Sequence, residues 1–305
     1  MKLVAFSHNG VAGVGLLQKS AIYGRLRSDP QFPGDLDALL GGENTDWGQV
    51  AALSGAPAFP LDTIRFLPPL QRPGKIICVG LNYRDHTAET DYKQPDYPTL
   101  FARFTTSLVP HLAPIVRPRV SIALDFEGEL VAVIGRGGRH IATRDALRYV
   151  AGYSIFNDAS IRDFQHRTPQ WTVGKNFDYT GAFGPTFVTA DELPAGARGL
   201  NLQTRLNGEV MQSSNTDRLI FDVATLVSII SDAMTLLPGD LIVTGTPAGI
   251  GHSRTPKLYM KPGDVVEVEI EGIGVLRNRI VDEAATGSEA SSAASEEAIA
   301  PGAVA

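Results

Sequence analysis

The sequence predicts a mixed α/β protein in which β-strands predominate over helices. From residue 75 onwards, short runs rich in Val, Ile and Leu alternate with turn residues, as in KIICVGL, LVAVIG, TFVTA and DLIVTGTP. Asn9-Gly10 and Asn207-Gly208 are strong signals for two-residue hairpin turns. Convincing helical spacing is confined to TRDALRYV after residue 142 and FDVATLVSIISDAMTL over 221–236. We therefore expect a mostly β core with helical decorations.

The chain divides into three parts by composition. Residues 1–70 predict a small α+β N-terminal domain, with a hairpin in KLVAFSHNGVAGVGLLQ and short helices in DLDALLGG and WGQVAALSGA. The proline-rich connector FLPPLQRPGK marks a boundary before the main domain, residues 71–283. Residues 284–305 are rich in Ala, Ser and Glu, so we expect a disordered tail that buries almost nothing.

Composition excludes several classes of function. The 305 residues carry a net charge of -6 and no basic cluster, which argues against a nucleic-acid partner. The single cysteine, Cys78, lies in an apolar run and indicates a reducing compartment. The sequence shows no signal-peptide pattern and no run approaching the ~20 apolar residues of a membrane helix. We expect a cytoplasmic protein without a membrane partner.

Three acidic residues alternate along LDFEGELVAVIG: Asp125, Glu127 and Glu129. Period two places them on one face of a strand, ~7 Å apart, and that face continues with two valines that favour burial. One interpretation is a solvated face. The other is a buried cluster that needs a cation, and all-oxygen ligands favour Mg²⁺, Mn²⁺ or Ca²⁺. Asp158, after another apolar run, is a candidate third carboxylate.

Two further segments carry candidate chemistry. In VGLNYRDHTAET, His86 and Glu89 are three residues apart, so a helix would place them on one face, as a general base with its carboxylate or as a surface ion pair. Lys175, in GKNFDYTGAFGP, would line a pocket or lie solvated in a loop. Thr246 lies in a Gly-rich turn that follows a predicted strand. Either the backbone N–H groups of this turn approach a carboxylate, or the segment is a plain tight turn.

Together these segments resemble the fumarylacetoacetate hydrolase family. KIICVGLNYRDHTAE, LDFEGELVAVIG, YSIFNDASIRDFQ, GKNFDYTGAFGP, LNGEVMQ, LIVTGTPAGIG and MKPGDVVEVEIEGIG occur in the family's order, over about residues 70–283. The resemblance implies a β-sandwich roll for the catalytic domain, usually as a homodimer. The first 70 residues are similar to the small, variable N-terminal domain of many members.

The resemblance also implies residue roles. It assigns Mg²⁺ or Mn²⁺ binding to Glu127, Glu129 and Asp158 and leaves Asp125 as a non-ligand carboxylate. The catalytic residues that it implies are His86, Glu89 and Lys175. Positions that hold the substrate are Arg162, Gln165 and Thr246, and Lys175 also matches such a position.

The implied reaction acts on a 2-oxo acid. We expect hydrolysis of a C–C bond in a 2,4-diketo acid of the acylpyruvate or fumarylpyruvate type, for which ring-cleavage catabolism of aromatics is a natural setting. The alternatives are isomerisation, tautomerisation or decarboxylation of a related 2-oxo acid, and a metal-binding protein without catalysis. The chain departs from the family's FxKP-like segment, since Arg103 replaces a lysine and Phe104 a proline. We expect this change to alter the distal substrate pocket and not the metal site.

Overall fold

The computed structural model describes residues 1–41, 47–85 and 96–284. The predicted predominance of β-strands is confirmed. The strands of the described residues are β1 (Lys2–His8), β2 (Val11–Gln18), β3 (Ala21–Leu26), β4 (Ala58–Pro60), β5 (Arg65–Phe66), β6 (Ile76–Gly80), β7 (Thr99–Arg103), β8 (Leu108–Val109), β9 (Ile115–Arg117), β10 (Leu124–Asp125), β11 (Gly128–Ile134), β12 (Val150–Asp158), β13 (Ser160–Ile161), β14 (Gly181–Thr189), β15 (Asn201–Leu206), β16 (Glu209–Asn215), β17 (Leu241–Val243), β18 (Val265–Ile270) and β19 (Gly274–Asp282).

The helices are short. The α-helices with both ends inside the described ranges are α1 (Leu36–Gly41), α2 (Trp47–Ala51), α3 (Arg162–Gln165), α4 (Thr172–Lys175) and α5 (Val223–Ala233). The 3-10 segments are Ala52–Gly55, Leu61–Thr63, Thr105–Ser107, Thr143–Tyr149, Ala190–Glu192, Ala195–Ala197, Thr216–Arg218 and Gly251–Ser253. The segment predicted as a helix after residue 142 is thus a 3-10 helix. Across the described ranges, no helix has the length and apolar character needed to cross a membrane.

Helix α5 begins and ends inside the predicted segment. Asp222 caps its N-terminus, since the Asp222 carboxylate accepts a hydrogen bond of 2.9 Å from the Thr225 N–H. The helix buries one apolar face, which includes Leu226, Val227 and Ile230. It ends at Ala233, five residues before the predicted stop signal at Pro238.

Both predicted hairpins are present. β1 pairs with β2 and β15 pairs with β16, each antiparallel. The turn residues have positive φ, 49° at Asn9 and 79° at Gly10, then 53° at Asn207 and 83° at Gly208. Two successive residues with positive φ are what a type I′ hairpin turn requires, and Asn-Gly adopts that conformation at little cost.

The strands of the described residues form one large sheet, one smaller sheet and a two-stranded pair of β10 with β13. Among the described residues the large sheet has twelve strands, in the order β4-β3-β2-β1-β14-β12-β11-β17-β6-β7 with β5 beside β1 and β8 beside β14. The N-terminal strands therefore extend the main sheet, because β1 pairs antiparallel with β14. The division at residue 70 stays a prediction. The smaller sheet has the order β16-β15-β18-β19-β9.

The central strand β11 is buried on both faces. Leu130 and Ala132 pack in one hydrophobic cluster with Val266 and Val268 of the smaller sheet. Val131 and its neighbours on the opposite face belong to a second cluster that includes residues of α1 and α2. Burial on both faces explains the continuous apolar run in this strand. It also means that the acidic residues at its N-terminal end enter the interior of the protein.

Candidate active site

Three buried carboxylates meet where β11 begins and β12 ends. Glu127, Glu129 and Asp158, called here the acidic triad, each offer one oxygen, and these oxygens lie within 4.8 Å of one another. The antiparallel register brings them together, since the Asp158 N–H donates to the Glu127 carbonyl at 2.8 Å. The structure thus brings together the three residues proposed as metal ligands.

The charges of the acidic triad are costly without a cation. Glu127 is 5% exposed, Glu129 2% and Asp158 0%. Burial, followed by the negative charges of Asp158 and Glu127, raises the pKa of Glu129 well above its usual value. The N–H of Gly245 donates a hydrogen bond to Glu129 and acts in the opposite direction. The ionised form of the triad therefore requires positive charge nearby to be stable.

Lys175 supplies part of that charge. Helix α4 ends at Lys175, and the ammonium nitrogen lies 2.6 Å from Glu127 Oε2 and 2.6 Å from Asp158 Oδ2. Burial acts to lower the pKa of Lys175, but the carboxylates of Asp158 and Glu127 outweigh it and raise the pKa. The solvated-loop interpretation of Lys175 is wrong, since the side chain is only 2% exposed.

Arg162 and Gln165 lie at the two ends of α3, beside the triad. Arg162 Nη1 lies 2.6 Å from Glu127 Oε1 and donates to Gln165 Oε1 at 2.9 Å. Its Nη2 is buried and has no hydrogen-bond partner within the described part of the chain. Since unpaired buried donors are unfavourable, this N–H group is suited to an anionic ligand.

Asp125 is buried but separate from the triad. Its Oδ2 accepts hydrogen bonds from Arg162 Nε at 2.8 Å and from the His252 N–H at 2.9 Å. Its Oδ1 accepts from the N–H groups of Phe126, at 2.9 Å, and Gly251, at 2.8 Å. The solvated-face interpretation is wrong for this residue. The chain leaves β10 at Asp125 and enters β11 at Gly128, so strand periodicity does not continue between the acidic residues.

Thr246 lies in a buried turn in contact with the triad's strand. The hydroxyl donates to the Gly128 carbonyl at 3.0 Å and accepts from Gln212 Nε2 at 2.8 Å. The preceding Gly245 has φ 103°, and a Cβ there would lie 2.8 Å from the Asn82 Cβ. Glycine is therefore favoured at residue 245, because the positive φ and the close approach to Asn82 leave no room for a side chain. The turn is part of the site's frame.

The expectation that the Arg103 departure leaves the metal site untouched is wrong. The residue is 2% exposed, and its Nη1 donates to Asp158 Oδ1. It thus contacts a member of the triad directly. Sequence reasoning missed this contact because no local pattern links Arg103, on β7, to a residue 55 positions away.

The predicted base lies outside the described residues. His86 and Glu89 fall in the gap 86–95, and residues 285–305 of the predicted tail fall in the C-terminal gap. The catalytic dyad and the tail therefore stay predictions.

The donor set fits a hard divalent ion. All three triad side chains offer carboxylate oxygens, which Mg²⁺ and Mn²⁺ prefer as ligands. The ammonium of Lys175, between two of them, shows that this position favours positive charge.

Comparison with known proteins gives consistent results. The family model described as fumarylacetoacetate (FAA) hydrolase, C-terminal, matches residues 75–281. The mitochondrial oxaloacetate tautomerase Fahd2a of Rattus norvegicus is 42% identical over 226 residues, 74% of this chain and 72% of that protein.

Solved structures match almost the whole chain. Fumarylacetoacetate hydrolase EaFAH from the psychrophilic Exiguobacterium antarcticum is 37% identical with a TM-score of 0.80, covering 93% of this chain and 100% of that chain. Maleylpyruvate hydrolase from Sphingobium sp. SYK-6, in complex with manganese (II) ion and pyruvate, is 25% identical with a TM-score of 0.77 and the same coverage.

Proposed function

The chain belongs to the fumarylacetoacetate hydrolase family, and on that premise we propose that it is a divalent-metal-dependent tautomerase of 2-oxo acids of the oxaloacetate type. The relative named an oxaloacetate tautomerase supports this reaction over the hydrolysis that the sequence motifs favoured. The observation that carries the proposal is that Lys175 and Arg162 both contact Glu127, so cationic donors and carboxylate ligands meet in one buried site.

The acidic triad would hold Mg²⁺ or Mn²⁺ through Glu127, Glu129 and Asp158. A divalent ion supplies Lewis-acid polarisation of a 2-oxo group and a docking point for the neighbouring carboxylate. The manganese and pyruvate in the maleylpyruvate hydrolase structure support this choice of ion and of substrate class.

The chain's own residues then orient the substrate. Arg162 offers the unpaired Nη2–H and Gln165 lies beside it, so we assign both to a substrate carboxylate, and we keep Thr246 as a substrate-binding residue on the family resemblance. The Lys175 nitrogen pairs with the carboxylates of Glu127 and Asp158 as an ammonium, so we assign it the role of a hydrogen-bond donor and not of a general base. Its N–H groups would stabilise negative charge on the 2-oxo oxygen as that charge develops.

The proton balance requires a separate base. Conversion of the keto form to the enol removes a proton from C3 and adds one to the 2-oxo oxygen. We assign proton removal to His86 oriented by Glu89, as the family resemblance implies.

Hydrolysis of an acylpyruvate is the second candidate, because both solved hydrolases match 93% of the chain. His86 would then take a proton from water, and the hydroxide would attack the distal carbonyl. The C–C bond would break, releasing the acyl group as a carboxylic acid, and C3 of the pyruvate fragment would take up a proton. Decarboxylation of an oxo diacid uses the same site without water.

We also propose a cytoplasmic homodimer, whereas the rat relative is named mitochondrial.

A substrate panel tests the proposal. The full-length protein with Mn²⁺ is incubated with oxaloacetate and with an acylpyruvate, and the products are followed by NMR. We expect accelerated keto–enol exchange of oxaloacetate that stops with EDTA. Cleavage of the acylpyruvate with no effect on oxaloacetate exchange supports the second candidate, and no metal-dependent change in either substrate contradicts both.

A further inference from the structure

We propose that Arg103 is a positioning residue for Asp158, one of the three members of the acidic triad. It fixes which of the two Asp158 carboxylate oxygens is turned towards Glu127. Arg103 Nη1 donates to Asp158 Oδ1, whereas the Lys175 ammonium lies 2.6 Å from Oδ2. The same ammonium lies 2.6 Å from Glu127 Oε2, so Oδ2 is the Asp158 oxygen that is turned towards Glu127. The inference rests on the metal site of the proposed function and adds a residue to it.

The guanidinium of Arg103 is held on every polar side. Nε donates to Ser107 Oγ at 3.2 Å, Nη1 also donates to the Ala159 carbonyl at 3.2 Å, and Nη2 donates to Thr180 Oγ1 at 2.8 Å. The side chain is 0% exposed. A planar group with all three nitrogens engaged has little freedom to rotate, so it holds Asp158 Oδ1 in one place.

The surrounding strands shape a slot for this planar group. The Arg103 Cζ lies 5.5 Å from the centre of the Phe156 ring. On another side, a Cβ added to Gly181 would lie 2.9 Å from both Cζ and Nη2 of Arg103. The absence of a side chain at residue 181 therefore makes room for the guanidinium.

A lysine would not reproduce these contacts. Its single nitrogen is a point charge that can approach Asp158, but it cannot also reach Ser107 and Thr180 in the directions of the guanidinium nitrogens. With a lysine, Asp158 keeps a cation but loses its fixed orientation. Partners that orient a metal ligand typically contribute 10–100-fold to metal affinity, so the effect should fall on ion binding first.

Calorimetric titration with Mn²⁺ tests this role in the full-length protein. We expect Arg103→Lys to bind Mn²⁺ roughly 10–100-fold more weakly than the wild type. We also expect its kcat to approach the wild-type value at saturating Mn²⁺. The matched control is Arg205→Lys, since Arg205 pairs with Glu267 and Glu269 on the smaller sheet and should leave the affinity unchanged.

The outcomes separate this inference from the proposed function. If the wild type binds Mn²⁺ and Arg103→Lys binds it equally well, the positioning role is overturned and the metal site stands. If the wild type binds no Mn²⁺, the metal site is overturned and the inference with it.

Gly181→Ala provides a second test that keeps Arg103 in place, and it decides the question if Arg103→Lys does not fold. The added methyl group must displace the guanidinium, so we expect weaker Mn²⁺ binding. In the Arg103→Lys background, Gly181→Ala should lower the Mn²⁺ affinity by a smaller factor, because the guanidinium that the methyl group would displace is absent. A folded Gly181→Ala protein with unchanged Mn²⁺ affinity would also overturn the proposal.

Discussion

The ammonium of Lys175 lies 2.6 Å from Oδ2 of Asp158, and both side chains are almost completely buried. The two residues approach from different elements, Lys175 from the end of α4 and Asp158 from the end of β12. A buried ion pair of this kind is costly to form and more costly to break, because the remaining carboxylate is left with less compensating charge, here Asp158 with Arg103. The pair therefore links the free energy of unfolding of the protein to the balance of positive and negative charge in the site.

Lys175→Met tests that link. Without a divalent ion, we expect the free energy of unfolding to fall by roughly 3–5 kcal/mol, since two buried carboxylates lose their shared cation. Saturating Mn²⁺ should restore much of this loss, but kcat should stay about 10²–10³-fold lower because a donor to the developing charge is missing. Denaturant unfolding with and without Mn²⁺ measures the first effect. Lys257→Met, on the exposed surface, is the control, and an unchanged stability of the metal-free Lys175→Met protein would contradict the account.

Asp125→Asn tests the role of the buried carboxylate outside the triad. Asp125 holds Arg162 Nε and two backbone N–H groups of the Gly251–Ser253 segment, so an amide in its place would loosen Arg162. A hydrogen bond to a charged group contributes about 1.5–3 kcal/mol, so we expect kcat/KM to fall roughly 10–100-fold, mainly through KM.

The matched control for Asp125→Asn is Asp282→Asn, because Asp282 forms an exposed ion pair with Arg117. Steady-state kinetics of both variants and of the wild type give the KM values that test this role of Asp125. Equal KM values for Asp125→Asn and the wild type would show that Arg162 does not depend on Asp125.

Local patterns predicted much of this fold. Asn-Gly turns located both hairpins, since positive φ at two successive residues strongly selects that sequence. Apolar periodicity located α5 but not its end, which lies at Ala233. The spacing of apolar residues after residue 142 predicts a helix but does not distinguish an α-helix from the 3-10 helix observed at Thr143–Tyr149.

The candidate site shows where such reasoning stops. Alternation placed Asp125, Glu127 and Glu129 on one face, yet β10 ends at Asp125 and β11 begins only at Gly128, and Asp125 lies outside the acidic triad. The pairing of Arg103 with Asp158 depends on how β7 lies relative to β12, which is tertiary information. Spacing alone left both a solvated and a buried interpretation of Lys175 and of the acidic residues open, and only the tertiary structure shows that Lys175 contacts Glu127 and Asp158.

Acid should destabilise the fold partly through His111. Burial, and secondarily the charge of Arg277, lowers the pKa of His111 from 6.5 to about 4. The unfolded state then binds more protons than the folded state, so stability falls as the pH drops from about 6.5 towards about 4. In the folded protein His111 Nδ1 accepts the Arg277 N–H at 3.0 Å, which requires a neutral ring.

Chemical unfolding at several pH values measures this effect. His111→Asn should lose less stability than the wild type over the same pH interval, because the titrating ring is gone. The same pH dependence in both proteins would exclude His111 as a contributor.

His86→Ala separates proton transfer from metal binding. If His86 is the base, the variant should bind Mn²⁺ with wild-type affinity and lose most of the keto–enol exchange, about 10²–10⁴-fold for a general base. Calorimetry and NMR exchange rates give the two quantities. A normal exchange rate in His86→Ala would place the base elsewhere in the site.

The most direct test of the central claim is the location of the ion. A crystal of the full-length protein soaked with Mn²⁺ would be measured at the manganese absorption edge. The account predicts an anomalous peak bounded by carboxylate oxygens of Glu127, Glu129 and Asp158, and loss of that peak in Glu129→Gln. Well-ordered crystals with no peak at these three residues would contradict it.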